Sequence, residues 1–194
     1  MIPRRARVFA WALAPLCAIL AGCSLANGLG PTQPPAITQQ LVIRSLERGL
    51  AQLDISRFAG RPADVEVYTQ AGNQDFIREF VVSWLKAHGL RTTMADPSLR
   101  LKVFASVVGT DRGQTFFGVP AFQAPVLNVP VPEIALFKWE RNRGLTELRV
   151  FAFDGKTEDF VDQLPLGIGR SRADDFTVLL FFGYSWTDVD RPVP

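Results

Sequence analysis

Four prolines interrupt residues 115–137 (TFFGVPAFQAPVLNVPVPEIALF), at Pro120, Pro125, Pro130 and Pro132. Each ring fixes φ and removes a backbone N–H, so no long helix crosses this stretch, and no clean alternation runs through it. Glu133 is its one charge. An apolar, non-helical segment thus sits in the middle of the second half of a 194-residue chain. Helical patterning precedes it and strand patterning surrounds it.

The first helix is expected over residues 38–54, capped by Thr38 just after Pro34-Pro35. Ile43, Leu46, Leu50 and Leu53 recur at helical spacing, and Arg44, Glu47, Arg48 and Gln52 face water. A strand follows over residues 64–69, with Val65 and Val67 pointing one way. The second helix has Asn73 as N-cap and Asp75 in its first turn, where the dipole favours negative charge. Phe76, Ile77, Phe80, Val81, Trp84 and Leu85 form its broad apolar face, and Gly89 ends it. A short strand is expected over residues 90–94. Leu99, Leu101, Val103, Ala105 and Val107 then alternate with Arg100, Lys102 and Ser106, the mark of a half-buried strand.

Beyond the proline-rich segment, Glu140-Arg141-Asn142-Arg143-Gly144 reads as a turn. Leu148, Val150 and Ala152 read as a strand, and Asp154-Gly155-Lys156 as a tight turn. Residues 176–183 (FTVLLFFG) form a continuous apolar run of strand length, expected to be covered on both faces. The tail over residues 188–194 is expected to fray. With 47% hydrophobic residues, fifteen Phe and four Trp, the chain has material for a well-filled core. The pattern predicts one α+β domain over residues 38–190: a mixed or mainly antiparallel sheet with two helices packed on one face. No repeat of 20–50 residues is visible.

The N-terminus carries a different message. Residues 1–7 (MIPRRAR) are basic, and residues 8–20 are apolar for thirteen positions. At ~1.5 Å rise, thirteen residues cover about 20 Å, short of a ~30 Å hydrocarbon core, and Pro15 disfavours a spanning helix. Leu20-Ala21-Gly22-Cys23 follows. Basic start, short apolar stretch and small residues make a secretory signal layout. These last four residues resemble the lipobox of bacterial lipoproteins. The resemblance implies diacylglyceryl transfer to the Cys23 thiol, cleavage before it and acylation, commonly with palmitate, of the new amine. Residues 1–22 would then be signal peptide and residues 23–37 a Gly- and Pro-rich flexible tether. Cys17 leaves with the signal, so Cys23 is the single cysteine of the expected mature chain and no internal disulfide forms. Ser24 stands where aspartate would favour inner-membrane retention. That leans toward an outer-membrane anchor with the domain facing the periplasm.

Without residues 1–22 the chain has 18 basic against 19 acidic residues, from 21 and 19 overall. That balance offers no electrostatic case for nucleic acid. The expected partners are the membrane, through lipid on Cys23, and an envelope protein or further copies of the chain.

Several phrases of the second half resemble an uncharacterised family of bacterial envelope lipoproteins. They are Val108-Gly109-Thr110-Asp111-Arg112, Gly118-Val119-Pro120, residues 132–138 (PEIALFK) and residues 150–157 (VFAFDGKT). The resemblance covers roughly residues 38–160. It implies an envelope lipoprotein and no assigned activity.

Catalytic signals are sparse. His88, the single histidine, falls at the end of the second helix, where a helix C-terminus suits it. There is no G-x-S-x-G elbow and no phosphate loop, and no set of ligands suits a metal. No cofactor is expected. Gly167-Ile168-Gly169 reads as a plain turn, and Asp111-Arg112, between Gly109 and Gly113, as a charged turn or a recognition loop. Acidic pairs at Glu158-Asp159, Asp174-Asp175 and Asp188/Asp190 leave a carboxylate hydrolase as the least favoured reading. A module whose Phe-rich interior holds a lipid or small molecule is the alternative to a non-enzymatic, partner-binding lipoprotein. The best functional candidate is the proline-rich segment. If exposed, Phe116, Phe117, Phe122, Val126 and Leu127 would contact a partner protein or the membrane surface.

Overall fold

A computed structural model of the chain describes residues 35–124 and 129–190. Cys23 and its Leu20-Ala21-Gly22 box, the tether up to Pro34, Val126 and Leu127 lie outside the described residues.

Helix α1 (Ala36–Leu50) begins two residues before its expected cap. Pro35 is the N-cap, and its carbonyl accepts from the N–H groups of Thr38 and Gln39 at 2.9 and 3.2 Å. A proline with its φ already fixed opens the helix without a side-chain cap. Leu41, Leu46 and Leu50 are fully buried, and Leu53 joins the core from the turn that follows. After a short 3-10 turn (Ser56–Phe58) comes β1 (Pro62–Thr69), then helix α2 (Gln74–Ala87), which buries Ile77, Val81 and Leu85. Asn73 is the N-cap of α2, though its side chain makes no capping bond, and Gly89 follows the helix with φ +94°.

The strands are β2 (Arg91–Thr92), β3 (Leu99–Val119), β4 (Phe122–Ala124), β5 (Val129–Val131), β6 (Ile134–Asp154), β7 (Phe160–Gln163), β8 (Gly167–Val178) and β9 (Phe182–Thr187). The large sheet runs β2-β1-β3-β6-β8-β9, with β7 also paired to β6. The β1 pairings are parallel and the rest antiparallel, so the fold is α+β with a large mixed sheet that curls. β4 and β5 form a separate two-stranded ribbon.

Five expectations are corrected. Residues 140–144 are not a turn: they lie inside β6, paired to β3 on one side and β8 on the other. Cross-strand ion pairs make the charges tolerable there, Arg112 to Glu140 at 2.5 Å and Arg143 to Asp174 at 2.6 Å. Asp111-Arg112 is likewise mid-strand in β3. Gly167 and Gly169 lie in β8, where their missing side chains admit α1. A Cβ on Gly169 would stand 1.6 Å from the Ser45 carbonyl oxygen, and one on Gly144 2.5 Å from that of Leu41. Residues 176–183 are not one covered strand but the end of β8, an exposed turn and the start of β9. The tail docks at its base: Val189 is buried beside Leu41, and Asp188 pairs with Arg48 at 2.9 Å.

The core gathers Leu46 and Leu50 of α1, Ile77, Val81 and Leu85 of α2, and Leu101, Val103, Leu148 and Val150 of the sheet. It is aliphatic. Phe58 is the one buried phenylalanine among the described residues, which corrects the expected Phe-rich interior. The sheet face turned from α1 carries the aromatic rings instead. Tyr68 stacks on Phe104 at 5.1 Å and Phe104 meets Phe151 edge-on at 5.8 Å. Between α1 and the sheet, the Ser45 and Thr146 hydroxyls share a buried hydrogen bond of 2.8 Å, and Ser171 Oγ donates to the Leu41 carbonyl at 2.7 Å.

Candidate functional site

β3 and β6 are 21 residues each, too long for the helices to cover. Their outer halves run on beyond α1 together with β8 and β9. The register there sets side chains in rows, because residues directly opposite share a face and those two apart repeat it. Gly113, Arg141, Asp174 and Trp186 form one row. Thr115, Trp139, Phe176 and Tyr184 form the next, and Phe117, Phe137, Val178 and Phe182 the last.

The rows change character abruptly. In the first, Arg141 lies over the Trp139 ring at 4.6 Å, Asp174 takes a 2.6 Å hydrogen bond from Arg143, and Arg172 covers Trp186 at 4.0 Å. The second is aromatic, with Trp139 stacked on Phe176 at 5.5 Å and Phe176 beside Tyr184 at 6.4 Å. Outward of it, Glu133 and Lys138 are the only charges among the described residues, and they pair with each other at 3.0 Å.

Phe117 (68% exposed), Val119, Phe122, Ile134 and Leu136 lie open to solvent at this end. The β8–β9 turn lies open too: Leu179, Leu180, Phe181 (82%) and Phe182 (70%). Leu179 and Leu180 have φ of 49° and 65°. Three residues, Leu179 to Phe181, join the paired Val178 and Phe182, and positive φ suits Gly or Asn, so bulky apolar side chains pay strain there. The turn is tied to β6 by Leu179 N–H donating to the Leu136 carbonyl at 2.9 Å and Leu180 N–H to that of Ala135 at 3.0 Å. The result is an apolar end that none of the described residues covers.

Of the residues singled out from sequence, Phe117 and Phe122 stand in this patch. Phe116 is half-buried and points to the opposite face, opposite Lys138. Leu179 to Phe182 escaped sequence reasoning, since an apolar run with no Gly, Pro, Asn or Asp carries no turn signal.

The acidic pairs are dispersed. Glu158 binds Arg100, which also lies 3.7 Å from Asp64 and from Glu66. Asp174 pairs with Arg143, Asp175 accepts from Ser185 Oγ at 2.6 Å, and Asp188 takes Arg48. His88 stacks on Trp84 at 3.7 Å, its Nδ1 2.8 Å from the Trp84 carbonyl oxygen. These rings and Phe80, Arg44 and Glu47 border an open cleft of about 720 Å³ between α1 and α2. Among the described residues no cluster of three or more His, Cys, Asp or Glu is placed to hold a metal, and no helix is long and apolar enough to cross a membrane. No protein-family model matches the chain, and no curated protein matches it in sequence.

Proposed function

We propose that this chain is a lipid-anchored protein of the bacterial cell envelope, non-enzymatic, whose domain binds another envelope component. The signal layout and the lipobox-like Leu20-Ala21-Gly22-Cys23 support the anchor, and Ser24 supports an outer-membrane site with the domain facing the periplasm. Residues 23–37 act as tether and residues 38–190 as the domain. In this reading both helices pack on one face of the sheet and leave its far end free for contact. The observation that carries it is the exposed apolar end formed by Phe117, Phe122 and the Leu179–Phe182 turn. Patches of this kind on soluble domains mark interaction surfaces.

The test is thiol accessibility in cells. With Cys23 blocked by lipid, Phe117→Cys and Met94→Cys each introduce one reactive thiol. Met94 is 92% exposed and lies just past β2, far from the apolar end. The reading expects a maleimide to label the Met94→Cys variant several-fold faster in cells, and both variants equally once denatured. Equal labelling of the folded variants in cells would remove the apolar end as a contact surface.

A small-molecule module is the second reading, favoured by the cleft between α1 and α2 with its Trp84, His88 and Arg44 border. Native mass spectrometry after gentle purification tests it. A co-purifying ligand lost in Trp84→Ala supports it, and protein of bare mass throughout counts against it.

A further inference from the structure

We infer that the apolar end is a second membrane attachment: the Leu179–Phe182 segment, with Phe117 in the same row of the sheet and Phe122 in the ribbon that follows β3, dips into the hydrocarbon of the bilayer that holds the lipid. This deepens the envelope reading above and rests on it.

Three observations choose lipid over protein. The first is layering along the strands. Arg141 and Asp174, the latter paired with Arg143, lie in one row, a Trp139–Phe176–Tyr184 row follows, and beyond it the Glu133–Lys138 pair is the only charge among the described residues. Polar, then aromatic, then apolar is the order of a membrane interface, where Trp and Tyr sit at the headgroups. A protein-binding patch instead has its polar residues around an apolar centre.

The second is depth. From Phe176 to the turn at Leu179 the strand advances three residues, about 10 Å at the usual rise. That reaches into one leaflet of a ~30 Å core without spanning it. Such depth matches a surface-lying attachment rather than a channel.

The third is where the described chain starts. Along α1, Gly49 lies beside Gly167, Ser45 over Gly169, Leu41 on Ser171 and Ile37 near Ala173. Its N-terminus therefore points along β8 toward the apolar end. Ala173 is five residues from Val178, about 17 Å. Cys23 precedes Pro35 by twelve residues in sequence, at most about 40 Å of chain. That length of chain is enough for an anchor at Cys23 and the turn to meet one bilayer. A lipid anchor holds the turn near the bilayer at raised effective concentration, so even a weak insertion is populated, and leucines held at positive φ are explained if the turn is built for what its side chains enter.

The experiment uses protein purified from membranes and reconstituted into vesicles of phosphatidylethanolamine and phosphatidylglycerol. An environment-sensitive NBD fluorophore is attached to Phe181→Cys and, separately, to Met94→Cys. The inference expects the Phe181→Cys probe to brighten several-fold, shift to the blue and be quenched by nitroxides on the lipid tails. The Met94→Cys probe should be quenched by aqueous iodide instead. A water-exposed Phe181→Cys probe on vesicle-bound protein overturns the inference. So does a probe buried without lipid in a species of doubled mass, which would assign the turn to a second copy. Intact mass of the same samples reads Cys23 separately. If it is unmodified, the anchor reading fails, and the probe on a Cys23→Ser background still decides the turn.

Discussion

Gly169 of β8 lies directly beneath Ser45 of α1, so close that a methyl group on the glycine would sit 1.6 Å from the Ser45 carbonyl oxygen. Gly144 and Gly167 admit the same helix by the same means. Backbone then blocks any relief, since no flexible side chain can swing away. Gly169→Ala should cost about 3 kcal/mol or more, the upper range for an overpacked site. Urea unfolding monitored by circular dichroism would show the midpoint falling with the slope unchanged. An unshifted midpoint would mean that α1 does not rest on these glycines.

Ser45 also supplies the hydroxyl that satisfies Thr146, 2.8 Å away in a fully buried interface. Ser45→Ala strands the Thr146 hydroxyl and should cost about 1–3 kcal/mol. Adding Thr146→Val removes the stranded group. The double variant should then lose less than the sum of the two singles in a double-mutant cycle.

The Leu179-Leu180 turn offers a trade of stability against contact. Within this three-residue turn, Leu179→Asn with Leu180→Gly suits positive φ at both positions. A non-glycine residue in that region costs about 1–2 kcal/mol, so the variant should melt several degrees higher. It should also lose the lipid-quenched signal of a probe at position 117. A variant that gains stability and keeps full insertion would detach the strain from membrane contact.

Acid should weaken the β6–β7 connection. The Asp154 carboxylate accepts from the backbone N–H groups of Thr157 and Lys156, which hold its pKa below the ordinary carboxylate value. The Arg57 guanidinium, hydrogen-bonded to Asp162 at 2.5 Å, does the same for that residue. A carboxyl with a folded pKa below its unfolded value, about 3.9, adds stability above that pH and loses it as pH falls through the folded value. Asp154→Ala should therefore melt below wild type at neutral pH, and the gap should close below about pH 4. Parallel curves down to pH 2 would contradict the assignment.

Both helices, β1 and the alternating start of β3 were legible, because each buries one regular stripe and period alone reveals it. The large glycine-lined contact was not. Gly144, Gly167 and Gly169 read as turn formers, since only the helix above them shows why a strand should lack side chains there. Charges misled in the same way: Arg143 and Glu140 suggested a loop, yet their partners Asp174 and Arg112 come from neighbouring strands. The proline-rich stretch drew attention to Phe117 and Phe122. The other half of the apolar end, Leu179 to Phe182, passed as buried strand because apolar runs name no environment. Composition suggested a phenylalanine core, whereas α1 and α2 pack on Leu and Val and leave the rings to the far face and the open end.

The measurement that bears most directly on the whole reading is the intact mass of the protein extracted from membranes, wild type beside Cys23→Ser. The account predicts that wild type begins at Cys23 and carries the mass of a diacylglyceryl group and a further acyl chain, while the variant lacks both and largely leaves the membrane fraction. A wild-type chain with Cys23 unmodified, or one that starts elsewhere, would contradict it.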